Sequence, residues 1–488
     1  MKVMKIIRCI IVFSALVMLS SCNDWLDLQP ADTTAETDLF ETGDGYRNAL
    51  NGIYRQMATS DMYGKTLSWG ELDAMSQMYN LSKDYGTSEY YFSLYDYKRE
   101  EIYATIQTIW SKAYNSIANC NNIIQRLENE SPSKFAKGED EVKLIKGEAL
   151  ALRALLHFDI LRLFTPCKDD NIKHMPYVTT YPCTFQEYSN NHDILEKIRE
   201  DLIQAKQLVG EFDIPRKLWF QSSVRFENKY DGLEEEKPTD LFFAYRGYRL
   251  NYYAICGLLS RAYLYSGMYK EAFDETEVIL NLYVYDEYPI DYYRIFKFSA
   301  TYEVPENGNT KFYDDILFCL SNQKLSEDYR NYRSTAKLYL NTSDPLSDWF
   351  NEDGSDVRYK QLSSENYYYY CNKNLDPGVG TKFQFAKDML PIIRLSELYL
   401  IRAEYFNHIK DEDSAAAEIT KIREGRGCFA NIDRNSTNWF INAILDEARR
   451  EFMGEGQLFY YYKRLNVLPL GMSKEEQFTL PLPQNEAL

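Results

Sequence analysis

From Gly45 onward apolar residues recur three and four positions apart, the spacing of a helix that buries one face, where strands would alternate with period two. The pattern predicts helices over Tyr46–Met57, Ile102–Leu127, Val142–Phe164, Ile194–Val209, Asn251–Tyr265 with Lys270–Leu282, Ile392–Phe406 with Ala415–Arg423, and Trp439–Leu465. Between them, near 66–98, 211–245 and 283–390, the helical period disappears and Tyr, Asn, Asp, Gly and Pro accumulate, with short β-prone runs such as YYYYC at 367–371. The expected architecture is therefore mainly α, a scaffold of paired helices carrying irregular, loop-rich excursions and a few short strands. Loops held by a rigid frame are where binding residues concentrate.

One pair has a register that can be tested. Leu259, Ser260, Tyr263, Gly267, Tyr269, Ala272, Thr276 and Ile279 follow the spacing of a tetratricopeptide-like repeat, in which a large and a small residue on the first helix let the second lie close. Thr276 and Ile279 depart from the pattern, which has a bulky residue and an alanine at those places. Ala415, Ile419 and Ile422 repeat the second-helix spacing after LSELYLIRAEYFNHI. One repeat cannot bury both of its faces, so several are expected to stack.

The beginning of the chain follows a different rule. Lys2 and Lys5 precede an apolar run, Ile6–Leu19, that closes on small residues, the layout of a secretory signal peptide. The run is shorter than the roughly 20 apolar residues a bilayer crossing needs, and Arg8 interrupts it. Its junction, Leu19-Ser20-Ser21-Cys22, resembles the bacterial lipobox, whose cysteine is lipidated and becomes the first mature residue. The expected organisation is a lipoprotein signal peptide at 1–21, a lipid-anchored tether at 22–45, and one domain over 46–488. Each buried methylene of an acyl chain contributes roughly 0.8 kcal/mol, so several chains on Cys22 would anchor the protein firmly without embedding it.

Charge and reactive residues narrow the function further. With 73 acidic against 55 basic side chains the formal charge is −18, a surface repelled by phosphate backbones, so no nucleic-acid partner is expected. Of nine cysteines, Cys9 leaves with the signal peptide and Cys22 carries lipid; the remaining seven read as buried free thiols, with a Cys167–Cys183 bridge left open. The four histidines, His157, His174, His192 and His408, share no helix-face spacing, so no metal and no cofactor is expected, and His157 reads as a satisfied core histidine. There is no Gly-x-Ser-x-Gly elbow and no phosphate-binding glycine loop. Near the C terminus, Glu447, Arg450 and Glu451 lie three and four apart, so Arg450 is expected to bridge carboxylates along one helical face in a structural ion-pair network.

At this point five stretches carry a resemblance: CNDWLDLQP with GYRNALNGIYRQM, KGEALALRALLHFDILRLFTP, IIRLSELYLIRAEYFN, EARREFMGEGQLFYYYKRLN and the ending LPLPQNEAL. Arg394, Glu397, Leu400, Ala403 and Glu404 match one helical signature, and Glu447, Arg449, Arg450, Glu451, Glu455, Gly456 and Arg464 another. Together they resemble the SusD/RagB family of Bacteroidetes outer-membrane nutrient-binding lipoproteins, with departures at Gly454, Gln457-Leu458 and Tyr461. The resemblance implies a cell-surface protein that covers a SusC-like TonB-dependent transporter, binds an oligosaccharide or polysaccharide without cleaving it, and passes it on. A peptide or glycopeptide ligand is the alternative within the family, and a surface glycoside hydrolase the alternative outside it, for which two carboxylates would have to face one cleft.

The composition suggests how such a ligand could be held. There are 42 tyrosines, 26 phenylalanines and six tryptophans, and a tyrosine offers a flat apolar face and a hydroxyl with little side-chain entropy to lose. Tyr253, Tyr263 and Tyr399 fall on repeat positions and are expected in the core. The ligand-binding candidates are those in the excursions: Trp69, Tyr79, Asn80, Tyr90 and Tyr91; Trp219; and Tyr292, Tyr293 and Tyr313.

Overall fold

The computed structural model describes residues 38–486 except 184, 288, 289, 307, 337, 352, 379 and 485; Cys22 and the expected signal peptide lie outside the described residues. α1 (Gly43–Met57) is followed by two short helices inside the first excursion, α2 (Glu71–Met75) and α3 (Ser88–Ser93), and then by α4 (Glu100–Leu127), α5 (Glu139–Phe164) and α6 (Asn191–Asp213). Beyond α7 (Ser222–Glu227) come α8 (Tyr252–Tyr265) with α9 (Tyr269–Leu280), then α10 (Leu325–Ala336), α11 (Leu395–His408) with α12 (Glu412–Gly425), and finally α13 (Trp439–Glu451) and α14 (Leu458–Leu465). The protein is mainly α. Helices pack in succession, α1 on α4, α4 on α5, α5 on α6, α6 on α8, α8 on α9, α9 on α11 and α11 on α12.

Local chemistry sets where these helices start. The side chains of Asn190, Asn251 and Asp411 accept from the backbone N–H of Asp193 at 2.9 Å, Ala254 at 3.0 Å and Ser414 at 3.1 Å, so each satisfies a donor that the first helical turn leaves open. Between α8 and α9, Gly267 takes φ +73° in the turn, and the Ser260 hydroxyl donates to the Ala272 carbonyl at 2.7 Å, so the two helices approach closely. Ala272, Thr276, Ile279, Ala415, Ile419 and Ile422 are all buried. The second pair stacks on the first through Tyr269 against the His408 ring, centroids 4.1 Å apart, and Phe273 against Tyr405 at 4.5 Å.

α5 is enclosed on all sides: every residue from Gly147 to Phe164 is buried. Its polar members therefore need partners inside the protein. Glu148 accepts from Arg246 at 2.7 Å, Arg249 at 2.9 Å and the Tyr54 hydroxyl at 2.9 Å, while Arg153 forks onto Asp201 at 2.7 and 2.6 Å. His157 Nδ1 donates to the Arg153 carbonyl at 2.9 Å, its Nε2 accepts from the Val178 N–H at 3.0 Å, and the ring stacks on Tyr177 at 3.9 Å. That arrangement holds a neutral imidazole, and burial drives its pKa down to about 3.

Among the described residues, four antiparallel two-stranded ladders punctuate the excursions. β1 (Met175–Pro176) pairs with β2 (Tyr188–Ser189), β3 (Tyr283–Glu287) with β4 (Ile290–Arg294), β5 (Ile316–Ser321) with β8 (Met389–Arg394), and β6 (Leu362–Glu365) with β7 (Tyr368–Cys371). Two expected helices are corrected. Ile392–Arg394 belongs to β8, a strand buried along its whole length, because the apolar run reads equally as buried strand or buried helix until β5 pairs with it. Trp439–Leu465 is two helices, broken where Gly454 and Gly456 take φ +77° and +72°. A side chain at Gly456 would meet the Leu67 carbonyl at 2.8 Å, and Asp73 fixes the break by accepting from the N–H of Gly454 at 2.8 Å and of Gly456 at 3.0 Å. Cys167 and Cys183 are not bridged; the seven described cysteines are free thiols, and all but Cys167 are buried.

The C-terminal charges form a network wider than one helix face. Arg450 pairs with Glu447 at 2.5 Å, but Glu451 is taken by Arg358 at 2.9 Å and by Arg426, which forks onto it at 2.8 Å. Arg358 also binds Glu447 and Asp356, and Arg426 binds Asp315. Glu455 pairs with Lys373 at 2.6 Å and with Arg394 at 2.6 Å, and Arg449 turns outward to Asp446 at 3.0 Å. Burial opposes ionisation of Glu451, yet the two guanidinium groups hold its carboxyl well below the usual range.

Arg358→Met leaves Glu447 and Glu451 short of a partner in the core and is expected to cost about 3–5 kcal/mol in urea unfolding, whereas Arg449→Ala is expected to cost less than about 1 kcal/mol. Equal losses would contradict a network held together by its buried members. His157 generates a pH dependence of known sign. The unfolded histidine takes up a proton below about pH 6.5 and the folded one does not, so stability is fully present above that pH and falls as pH drops toward 3. Between pH 6.5 and 4.5 this group is expected to remove about 2–3 kcal/mol. Denaturant titrations across that window should show the slope flattened in His157→Gln, whatever the variant's baseline stability.

Candidate functional site

Three segments far apart in sequence converge on one exposed surface. The stretch after α2 meets the one after α10: Tyr79 bridges to Leu340, the Asn80 N–H donates to the Tyr339 carbonyl at 2.8 Å, and the Asn341 N–H donates to the Met78 carbonyl at 2.9 Å. On its other edge the Leu340 N–H donates to the Tyr369 carbonyl at 2.8 Å, adding the β6–β7 hairpin. Backbone hydrogen bonds thus fix the spacing of side chains drawn from three places.

Those side chains are mostly tyrosines. Tyr339 stacks on Tyr368, centroids 4.2 Å apart and planes 29° from parallel, with Tyr370 behind it at 5.1 Å. Lys83 donates to the Tyr368 hydroxyl at 2.5 Å and lies 4.4 Å over the same ring. Tyr85, 73 % exposed, meets Tyr90 edge to face at 4.9 Å, and Tyr90 meets Tyr91 at 5.3 Å. Tyr367 is 95 % exposed at the tip of the β6–β7 hairpin, where Asn366 and Tyr367 form the two-residue turn with φ +51° and +67°. Such turns demand positive φ at both central residues, which a tyrosine adopts at a cost of order 1–3 kcal/mol. A large aromatic ring held there, bare of protein contacts that would repay the strain, points to an outward role.

The platform is braced from below. Glu89 on α3 takes Lys65 and the Tyr332 hydroxyl of α10, while Lys65 also reaches Glu71 at 3.1 Å. Trp69 stands at 90° to Tyr329, 5.0 Å away, and packs on Tyr332 at 5.7 Å.

The expected site residues divide accordingly. Asn80, Tyr90 and Tyr91 reach the surface just described. Trp69, Tyr79, Trp219 and Tyr313 are buried, 1 %, 2 %, 6 % and 6 % exposed, although Tyr313 also borders the pocket that Tyr293 lines. The Tyr79 hydroxyl donates to the Trp69 carbonyl at 2.7 Å; Trp219 is capped by Tyr230 and Phe212; Tyr313 packs on Phe383 and Phe385. The reason is that an excursion of this length folds a small core of its own, which consumes the largest rings first. Tyr293 is half-buried and lines a separate pocket, and the Tyr292 side chain lies outside the described residues. Tyr85, Tyr339, Tyr367 and Tyr368 were not among the expected residues, although the unbroken YYYY at 367–370 marks the spot. A larger cavity of about 750 Å3 opens under the C-terminal segment, between Pro166–Asp170 and Lys474–Pro481, with buried Lys463 in its wall donating to three backbone carbonyls. Its tyrosines, Tyr95 and Tyr97, are buried, so it offers no open ring face. No group of three or more His, Cys, Asp or Glu that could hold a metal occurs among the described residues, and no helix there is long and apolar enough to cross a membrane.

Two family models match, "SusD family" over residues 269–480 and "Starch-binding associating with outer membrane" over residues 24–217. No curated protein matches the chain. Among solved structures, a SusD superfamily protein from Bacteroides thetaiotaomicron is 23 % identical, with 91 % of this chain and 97 % of that one covered and a TM-score of 0.66. One from Bacteroides fragilis is 19 % identical over 91 % and 97 % with a TM-score of 0.64. A SusD-like carbohydrate binding protein from Bacteroides vulgatus is 19 % identical over 87 % and 84 % with a TM-score of 0.61. At these identities the likeness is one of fold.

Proposed function

The chain belongs to the SusD/RagB family, and from that premise we propose that it captures an oligosaccharide or a polysaccharide segment at the cell surface and hands it to a SusC-like TonB-dependent transporter. The observation that carries the ligand class is the tyrosine surface of Tyr85, Tyr90, Tyr339, Tyr367 and Tyr368. Sugar rings present patches of C–H that lie flat on aromatic faces, and phenol hydroxyls with Asn80 and Lys83 at the edge supply hydrogen bonds to ring hydroxyls. One relative of the same fold is described as carbohydrate binding, and one matching family model as starch-binding, in line with this chemistry.

Capture of this kind breaks no bond. Of the carboxylates near the surface, Glu89 is engaged by Lys65 and Tyr332, and Glu365, across the hairpin from Tyr368, is exposed; in this reading neither acts on a bound linkage. A lipidated Cys22, ahead of the segment that leads into α1, would keep the domain at the outer membrane beside its transporter.

Calorimetric titration with a panel of neutral and acidic glycans and peptides is expected to find glycan binders. Tyr85→Ala and Tyr367→Ala should each weaken binding about three- to tenfold, the 0.5–1.5 kcal/mol an aromatic contact supplies, with thermal stability unchanged because both rings are exposed. Peptides alone binding, or turnover of a bound glycan, would overturn the reading. Mass spectrometry of the native protein should find Cys22 as the mature N terminus with acyl chains on it; a free thiol and a free amine there would remove the anchor.

A further inference from the structure

A second pocket, of about 350 Å3, lies where α7 meets the β3–β4 hairpin, and among its walls are Ser222, Arg294, Lys297, Tyr302, Asp314 and Lys382. Its charges do not cancel. Lys382 is neutralised by Glu303 at 2.9 Å. Asp314 accepts from the hydroxyls of Ser222 and, at 3.0 Å, Ser299. Behind it Arg225, only 1 % exposed, donates to the Asp314 carbonyl at 2.6 Å and sets a positive charge against that carboxylate.

Two cations are left over. Arg294 donates from Nε to the Tyr283 hydroxyl and from Nη1 to the Tyr399 hydroxyl, both at 2.9 Å, and pairs with no carboxylate among the described residues. Two neutral phenols thus fix the plane of a guanidinium whose charge no described carboxylate offsets, and its Nη2 is bonded to no described residue. Lys297 is exposed and makes no ion pair with a described residue. Tyr302, 68 % exposed, presents an open ring beside them. On a chain of formal charge −18, two unneutralised cations meeting at one concave site are not accounted for by the general distribution of charge.

We propose that this pocket receives an acidic sugar unit, a uronate or a sulfated residue, with Arg294 and Lys297 taking the anion and Tyr302 covering a ring face. The inference rests on the glycan-binding reading and names the chemical class of part of the ligand. A pre-oriented guanidinium forms charge-assisted bonds roughly twice as strong as neutral ones and loses little freedom on binding, so an anion is favoured over a hydroxyl at the same place. Because the site is open to solvent, that preference should weaken with salt.

The test is calorimetric titration of the folded domain with hyaluronan, oligogalacturonate and chondroitin 4-sulfate hexasaccharides beside uncharged maltohexaose and cellohexaose, at low and high salt. Binding of at least one acidic sugar is expected, with Arg294→Gln weakening it about tenfold, the surface variant Lys297→Glu weakening it at least as much, and added salt weakening it further. Hyaluronan or oligogalacturonate binding alone identifies the anion as a carboxylate, and chondroitin sulfate alone as a sulfate. Binding of the uncharged sugars alone, or acidic-sugar affinities indifferent to both substitutions, overturns this inference and leaves the glycan reading standing. If no sugar binds and peptides do, both fall together.

Discussion

The long third excursion of this protein is tied to the helical frame by charges that have been taken out of water. Arg358 and Arg426 are fully buried, and each must keep a carboxylate beside it because an unpaired ion in the core costs several kcal/mol. Their partners come from three places: Asp356 from the segment before β6, Asp315 from the turn before β5, and Glu447 and Glu451 from α13. A hydrophobic contact would tolerate sliding, but a forked pair such as Arg426 on Glu451 has a geometry to keep. The long excursion, which has little regular structure to order it, is thereby pinned to the helical frame.

From that anchorage the rest of the surface follows in steps. Glu455, a few residues on, takes Lys373 and Arg394, and so ties the end of the β6–β7 hairpin and the end of β8 to the break after α13. Asp73 grips the same break from the first excursion through the N–H groups of Gly454 and Gly456. The first and third excursions therefore share one fixed point. Their outer parts meet at Asn80 and Tyr339, where backbone hydrogen bonds hold the tyrosine-bearing segments side by side. A binding surface that is already assembled loses less entropy when a ligand arrives.

The two candidate sites differ in what they could recognise. The tyrosine surface draws rings from several segments, with Lys83, Arg333 and Glu365 as the charges beside them, and is suited to successive sugar rings. The pocket at Arg294 is small and cationic, and suited to one group. Aromatic stacking tolerates many sugars, whereas an unpaired guanidinium discriminates between an anion and a hydroxyl. A surface of the first kind supplies affinity, and a pocket of the second supplies selectivity.

The sequence by itself determined the helices, their pairing and the places where regularity stops, because helix formation is written in spacing over three and four residues and in caps such as Asn190, Asn251 and Asp411. Tyrosine content also marked the first and third excursions, which meet at the exposed tyrosine surface, but not the second, whose Trp219 is buried. The sequence did not say which rings would face outward. Trp69 and Tyr367 look alike as aromatic residues in loops, yet one is 1 % and the other 95 % exposed. Nor did it separate β8 from the helix that follows, or divide Trp439–Leu465 at Gly454. Each of these was decided by contacts between residues remote in the chain: β5 beside β8, Asp73 at the glycine break, and Lys83 on Tyr368, 285 positions away. Local periodicity carries no record of such partners, and burial of a loop side chain depends on nothing else.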